Sequence, residues 1–174
     1  MARVVWSLNK VHQIGELGAA AAVVLSLLFV GYEIQQNNQR QVQATTQTVV
    51  SEFSATLQSL SGDPGLACVY VRGIRDYSEL AANQQVMFNS FLVRLNRIFE
   101  DMYYLRQEGS IDPRIWAGIE NSMHSAMQSP GWQEWFRGRR HWYSAEYQAY
   151  MAELMATSPD FDIPPVEDYD CETA

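Results

Sequence analysis

Residues 17–32 read LGAAAAVVLSLLFVGY, sixteen residues without a charge, bracketed by Glu16 and Glu33. Such a run can be a membrane-spanning helix, a helix buried in a globular core, or the apolar part of a cleaved signal peptide. A core helix normally keeps a polar stripe, and this run is apolar all round. A signal peptide needs a small-x-small site after the apolar run. Here the chain passes directly into Tyr32, Glu33, Ile34 and Gln35. The run is therefore expected to cross a bilayer. Sixteen residues at about 1.5 Å each reach roughly 24 Å, short of roughly 30 Å of hydrocarbon. Ile14 and Ile34 close the gap, so the expected span is residues 14–34.

Gly15, Gly18, Ala19, Ala22 and Ser26 recur every three or four residues along this helix. Small residues let helix backbones approach closely in lipid, so this face is an expected association surface. Trp6 and Tyr32 are placed to act as interfacial anchors. Arg3, Lys10 and the terminal amine precede the span, and the first positive charge after it is Arg40. The positive-inside rule then points to a cytoplasmic N-terminus and an exported domain.

The net charge of −8 is concentrated at one end. The last segment, 158–174, carries Asp160, Asp162, Glu167, Asp168, Asp170 and Glu172 without a Lys or Arg. Without it the chain holds twelve basic and fourteen acidic residues, so the body is close to neutral. No basic face suited to nucleic acid runs through it. Two cysteines, Cys68 and Cys171, make no framework. Cys68 sits in an apolar helical stretch and reads as a small core residue. A bond between the two requires an oxidising compartment.

After the span, a Gln-rich helix is expected over residues 35–61. Val42, Thr46, Val49 or Val50, Phe53 and Leu57 form a thin apolar stripe on it. Gly62, Asp63, Pro64 and Gly65 turn the chain. Asp63 with Pro64 opens a helix ending near Asp76. Ser78 is expected to start the principal helix, which runs to Glu108 and stops at Gly109. Phe88, Phe91, Leu95, Ile98, Met102 and Leu105 form a heptad seam along it, expected to serve the bundle or an association with another chain. Leu92, Phe99 and Tyr103 add a second apolar face, and Arg97 pairs with Asp101 at i,i+4. Asp112 with Pro113 opens the next helix, with Ile115, Trp116, Ile119, Met123 and Met127 inward. Ser129, Pro130 and Gly131 break it, and Ser144 caps a last helix to Thr157. The expected fold is all-α: a lead over 1–13, a transmembrane helix over 14–34, a juxtamembrane helix over 35–61, a soluble bundle of about five helices over 62–157, and an acidic tail over 158–174.

Constellations for catalysis are sparse. Glu120 and His124 lie i,i+4, whereas di-iron bundles need Glu-x-x-His at i,i+3 in two copies. His12, His124 and His141 are scattered and the cysteines distant, so no zinc pattern exists. There is no phosphate-binding glycine loop and no G-x-S-x-G. Glu100 and Asp101 point about 100° apart on a helix and make no dyad. No catalytic residue, cofactor or metal is expected. The stretch Trp132, Trp135, Arg137, Arg139, Arg140 and Trp142 interleaves aromatic and cationic side chains. It suits a membrane surface, a docking site for the acidic tail or an acidic partner, single-stranded nucleic acid, or a tryptophan core with a solvated arginine face.

Several short motifs stand out along the chain. They are Ile14-Gly15-Glu16-Leu17 and Val30-Gly31-Tyr32-Glu33-Ile34-Gln35-Gln36-Asn37 around the span. Arg97-x-x-Glu100-x-x-Tyr103-Tyr104, Gly109-x-Ile111-Asp112 and Trp116 follow. Ser129-Pro130-Gly131, Trp135, Arg139 and Trp142-Tyr143-Ser144 complete the set. Together they resemble a group of small, uncharacterised bacterial membrane proteins; the resemblance covers residues 14–150 and implies a membrane-anchored helical protein without an established activity.

The expected protein is a non-enzymatic, single-pass protein of the bacterial inner membrane, its domain on the periplasmic side. Its partners are the lipid bilayer and other copies of itself or subunits of a membrane complex, not nucleic acid. A membrane-tethered ligand-binding or sensory module is the alternative, since aromatic-rich helices can enclose a small molecule.

Overall fold

The structure, a computed structural model, describes residues 8–157 together with 159 and 171, and the side chains among these from residue 13 onward, Ile14 excepted. Six α-helices follow one another: α1 (Leu8–Gly62), α2 (Pro64–Arg75), α3 (Ala82–Gln107), α4 (Pro113–Met127), α5 (Pro130–Arg139) and α6 (Ala145–Ala156). A single 3₁₀ turn, Arg140–Trp142, joins α5 to α6. No strand occurs among the described residues. The all-α class is as expected, and five helices follow α1. Arg3 and Trp6 lie outside the described residues, as does the acidic tail apart from Pro159 and Cys171.

The chain divides into two compact units between Gln41 and Val42. In the first unit the described residues are all helical, including residues 32–36, where the apolar run meets the Gln-rich segment. Every described side chain up to Gln41 is exposed.

The second unit contains the rest of α1 and helices α2–α6. Val42, Thr46, Val49, Val50 and Phe53 all turn inward as expected, but the stripe ends differently. Thr56 is fully buried and Leu57 is exposed. The inward positions thus keep the helical spacing of 46, 49, 53, 56 and 60. Thr56 tolerates burial because its hydroxyl donates to the Glu52 carbonyl at 2.9 Å. Phe53 meets Phe99 of α3 with ring centroids 5.7 Å apart.

Helix α3 is the centre of this unit. Phe88, Leu92 and Met102 are wholly shielded, and Phe91, Leu95, Ile98 and Phe99 nearly so. Both apolar faces read from the sequence are therefore used inside the chain. Its start differs from expectation. Ser78 does not cap the helix, because Asp76 takes both its backbone N–H, at 2.9 Å, and its hydroxyl, at 2.6 Å. The segment between is a turn pinned by buried Leu80, and α3 begins after Ala81, whose N–H donates to the Gln84 side chain at 3.1 Å.

Three other helix starts follow local chemistry. Asp63 accepts the Leu66 N–H at 3.1 Å, Asp112 accepts the Arg114 N–H at 2.9 Å, and Ser144 accepts the Tyr147 N–H at 3.4 Å. Pro64 and Pro113 stand next to the first two caps, where a missing N–H costs nothing. Gly109 takes φ +68°, the left-handed geometry that ends α3.

Helices α2 and α5 meet through glycines. A Cβ at Gly131 would run into the Gly73 carbonyl, and one at Gly73 would lie 2.5 Å from the Phe88 ring. Gly131 thus belongs to α5 as a contact residue, beyond its expected part in breaking α4. Ile115, expected inward, is exposed, while Trp116, Ile119, Met123 and Met127 are buried.

Candidate functional site

Helices α3, α4 and α6 enclose a cleft of about 770 Å³. Tyr103 comes from α3, Trp116 and Glu120 from α4, and Glu146, Tyr150 and Glu153 from α6. The Tyr103 and Tyr150 rings lie 4.8 Å apart at 31°, and Trp116 lies 6.3 Å from Tyr150. The Tyr150 hydroxyl donates to Glu120 Oε1 at 2.6 Å. Burial, that hydrogen bond and the nearby Glu120 and Glu153 charges push the Tyr150 hydroxyl well above its usual pKa. Tyr104 reaches Glu146 at 3.4 Å. Spacing along the chain assigned Tyr103 and Trp116 to apolar helix faces. Their convergence with three carboxylates depends on how three helices pack, and no signal local to any one helix reveals it.

The Glu120 and His124 pair separates in the structure. Glu120 serves Tyr150, whereas buried His124 places Nε2 2.8 Å from the Thr157 carbonyl at the end of α6. No group of three His, Cys, Asp or Glu side chains among the described residues is close enough together to hold a metal ion.

Gly15, Gly18, Ala19, Ala22 and Ser26 are exposed, and nothing approaches a Cβ built at Gly15 or Gly18. Leu17, Val23, Val24, Leu25, Leu27, Leu28 and Phe29 are exposed as well. Among the described residues one helix, α1, is long and apolar enough to cross a membrane. The seam Phe88, Phe91, Leu95, Ile98, Met102 and Leu105 is different. All but half-buried Leu105 are buried in the chain's own core. The seam is thus a bundle core and has no free face to offer a second chain.

The aromatic and cationic stretch does not form one surface. Trp132 and Trp135 are completely buried, with Phe136 stacked on Trp132 at 5.1 Å. Trp135 donates its indole N–H to Asn89 at 3.1 Å. Arg137, Arg140 and Trp142 remain exposed. Arg139 lies over the rings of Tyr77, Trp135 and Trp142 at 5.2, 5.6 and 5.8 Å and donates to the Tyr77 hydroxyl at 2.8 Å. A membrane or acidic-partner patch of all six residues is therefore not present, because the packing of α5 on α2 and α4, with Trp135 bonded to Asn89 of α3, buries both tryptophans.

Arg97 pairs with Glu100 at 2.6 Å rather than with Asp101. It also donates to the Trp142 carbonyl at 2.8 Å and lies 4.7 Å over the Tyr143 ring. Tyr143 is buried, and desolvation raises its pKa to about 12. Cys68, expected as a small core residue, is half-buried and forms a disulfide with Cys171, their Cα atoms 5.6 Å apart. The chain matches no protein-family model, no curated protein and no solved structure.

Proposed function

We propose that this is a non-enzymatic, single-pass membrane protein of the kind its motifs resemble, a small bacterial membrane-anchored helical protein. The reading rests on residues 17–32, a helical run without a charge whose side chains are all exposed. Exposing so many large apolar side chains to water is unfavourable, and a bilayer removes that cost. Residues 14–34 form the span. Because the heptad seam is consumed within the bundle, association with another copy or another membrane subunit goes through Gly15, Gly18, Ala19, Ala22 and Ser26.

The cysteine pair supports a location for the domain. Disulfides persist in oxidising compartments, and the charges flanking the span favour a cytoplasmic N-terminus. Both point to the periplasmic side of an inner membrane.

Three measurements test this reading. The protein should stay in the membrane pellet through alkaline carbonate extraction, and release into the supernatant would refute the anchor. Blue-native electrophoresis in mild detergent should show a species larger than the monomer, which Gly18→Ile with Ala22→Ile converts to monomer. A monomer already in the parent protein, alone and with lysate, would refute association. For sidedness, an impermeant maleimide should label the cysteines of intact spheroplasts only after reduction.

A further inference from the structure

The cleft between α3, α4 and α6 lies outside the residues assigned to anchoring and association, and its chemistry is distinctive. Glu120, Glu146 and Glu153 line it against one guanidinium, Arg106. Among the described residues no salt bridge joins Arg106 to any of the three. Negative charge is therefore in excess. Glu146 and Glu153 stand seven residues apart on α6, about 10 Å along its axis and on nearly the same face. The rings of Tyr103, Trp116 and Tyr150 line the same cleft, Trp116 buried and the two tyrosines half-buried. Their faces are apolar and electron-rich, and they attract cations as well as methylene groups. The acids do not converge on one point, so the arrangement suits separated positive charges on a flexible apolar chain. The volume, about 770 Å³, falls in the range of small-molecule sites.

We propose that this cleft binds an aliphatic polyamine. Its methylene chain lies along the accessible parts of Tyr103 and Tyr150. Its ammonium groups pair with Glu146 and Glu153, and the Glu120 oxygen that does not accept the Tyr150 proton takes a further N–H. This inference goes beyond the anchoring reading and does not depend on it.

The test is calorimetric titration of the full-length protein in neutral detergent with spermidine. Saturable binding is expected, with no binding of 1,8-octanediol, which has a similar apolar chain and no charge. Glu146 and Glu153 are both exposed, so their replacement leaves the core intact. Glu146→Gln with Glu153→Gln should weaken binding about tenfold, as expected for losing two partly solvated ion pairs. The acidic tail is a competing, non-specific sink for polyamines, and Glu167→Gln with Asp168→Asn should leave affinity unchanged. Absence of spermidine binding would overturn the proposal. So would equal binding of the diol, affinity unaffected by the Glu146 and Glu153 changes, or affinity lost with the tail changes instead.

Discussion

The Glu100 carboxylate accepts the Ser144 backbone N–H through Oε1 at 2.8 Å. Its other oxygen takes the Arg97 guanidinium at 2.6 Å, and Arg97 reaches on to the Trp142 carbonyl. A buried carboxylate on α3 thereby fixes the turn that starts α6, 44 residues further along the chain. Two of the motif groups noted in the sequence, Arg97 with Glu100 and the Trp142-Tyr143-Ser144 turn, are the two halves of one clamp. Glu100→Ala should cost about 1–3 kcal/mol, because it leaves the Ser144 N–H without its acceptor, while half-exposed Arg97 keeps the Trp142 carbonyl. Glu100→Gln keeps one acceptor and should cost about half as much. Urea denaturation of the detergent-solubilised protein measures both. Equal losses would mean that only the packing of the side chain matters.

Gly131→Ala should destabilise the protein by at least about 1–3 kcal/mol, since its methyl would collide with the Gly73 backbone rather than with a yielding side chain. Gly118→Ala is the matched control. Gly118 lies within α4, and nothing stands within 4 Å of a Cβ there. That change should stabilise by about 0.5–1 kcal/mol through helix propensity alone. Opposite shifts in thermal midpoint are expected for these two chemically identical substitutions.

Stability should decline at both ends of the pH scale. Hydrogen bonds from the Arg114 side chain and backbone hold Asp112 at a pKa of about 2, below its ordinary 3.8. A depressed carboxyl contributes fully above its unfolded pKa, and the contribution is lost as pH falls through about 2. Burial, the largest cause in each case, raises the pKa of Tyr70, Tyr143, Tyr147 and Tyr150. Their contribution is complete below pH 10 and is lost as pH rises above it, through about 12 in the case of Tyr143. Tyrosinate absorbance at 295 nm should therefore still be rising above pH 10, together with loss of helical circular dichroism. Asp112→Asn should flatten the acid limb alone.

Reduction of Cys68–Cys171 should lower stability, because the bond closes a loop spanning 103 residues in the unfolded chain. Losses for such bonds are typically about 2–4 kcal/mol. Cys68→Ser with Cys171→Ser should match the reduced parent protein in a thermal melt. A melt insensitive to reductant would show that the pair does not constrain folding.

The features legible in the sequence are those whose cause lies within a few residues. Asp63 with Pro64, Asp112 with Pro113 and Ser144 cap their helices as expected, because a cap needs only the N–H groups two or three positions on. Gly109 ends α3 for the same reason. The two apolar faces of α3 were also legible, since helical periodicity alone marks a helix surrounded by others. Even local reading fails where two neighbours compete. Arg97 had Glu100 and Asp101 within reach, and it took Glu100 because Ser144 and Trp142 hold that side of α3.

What neither periodicity nor capping decided was which faces would be covered. Trp132 and Trp135 carry the same chemistry in a core as at a membrane surface, and only the seating of α5 against its neighbours buried them. The exchange of Thr56 for Leu57 in the α1 stripe, the contact of Gly73 with Gly131, and the meeting of Tyr103, Trp116 and Tyr150 above three carboxylates are of the same kind. By itself the sequence determined an uncharged run fit for a membrane, the helices and most of their ends, since each depends on hydrogen bonds and side chains within one or two turns. The tertiary structure decided the core membership of the tryptophans, the Glu100 clamp and the cleft, because each depends on side chains brought together from helices distant in the chain.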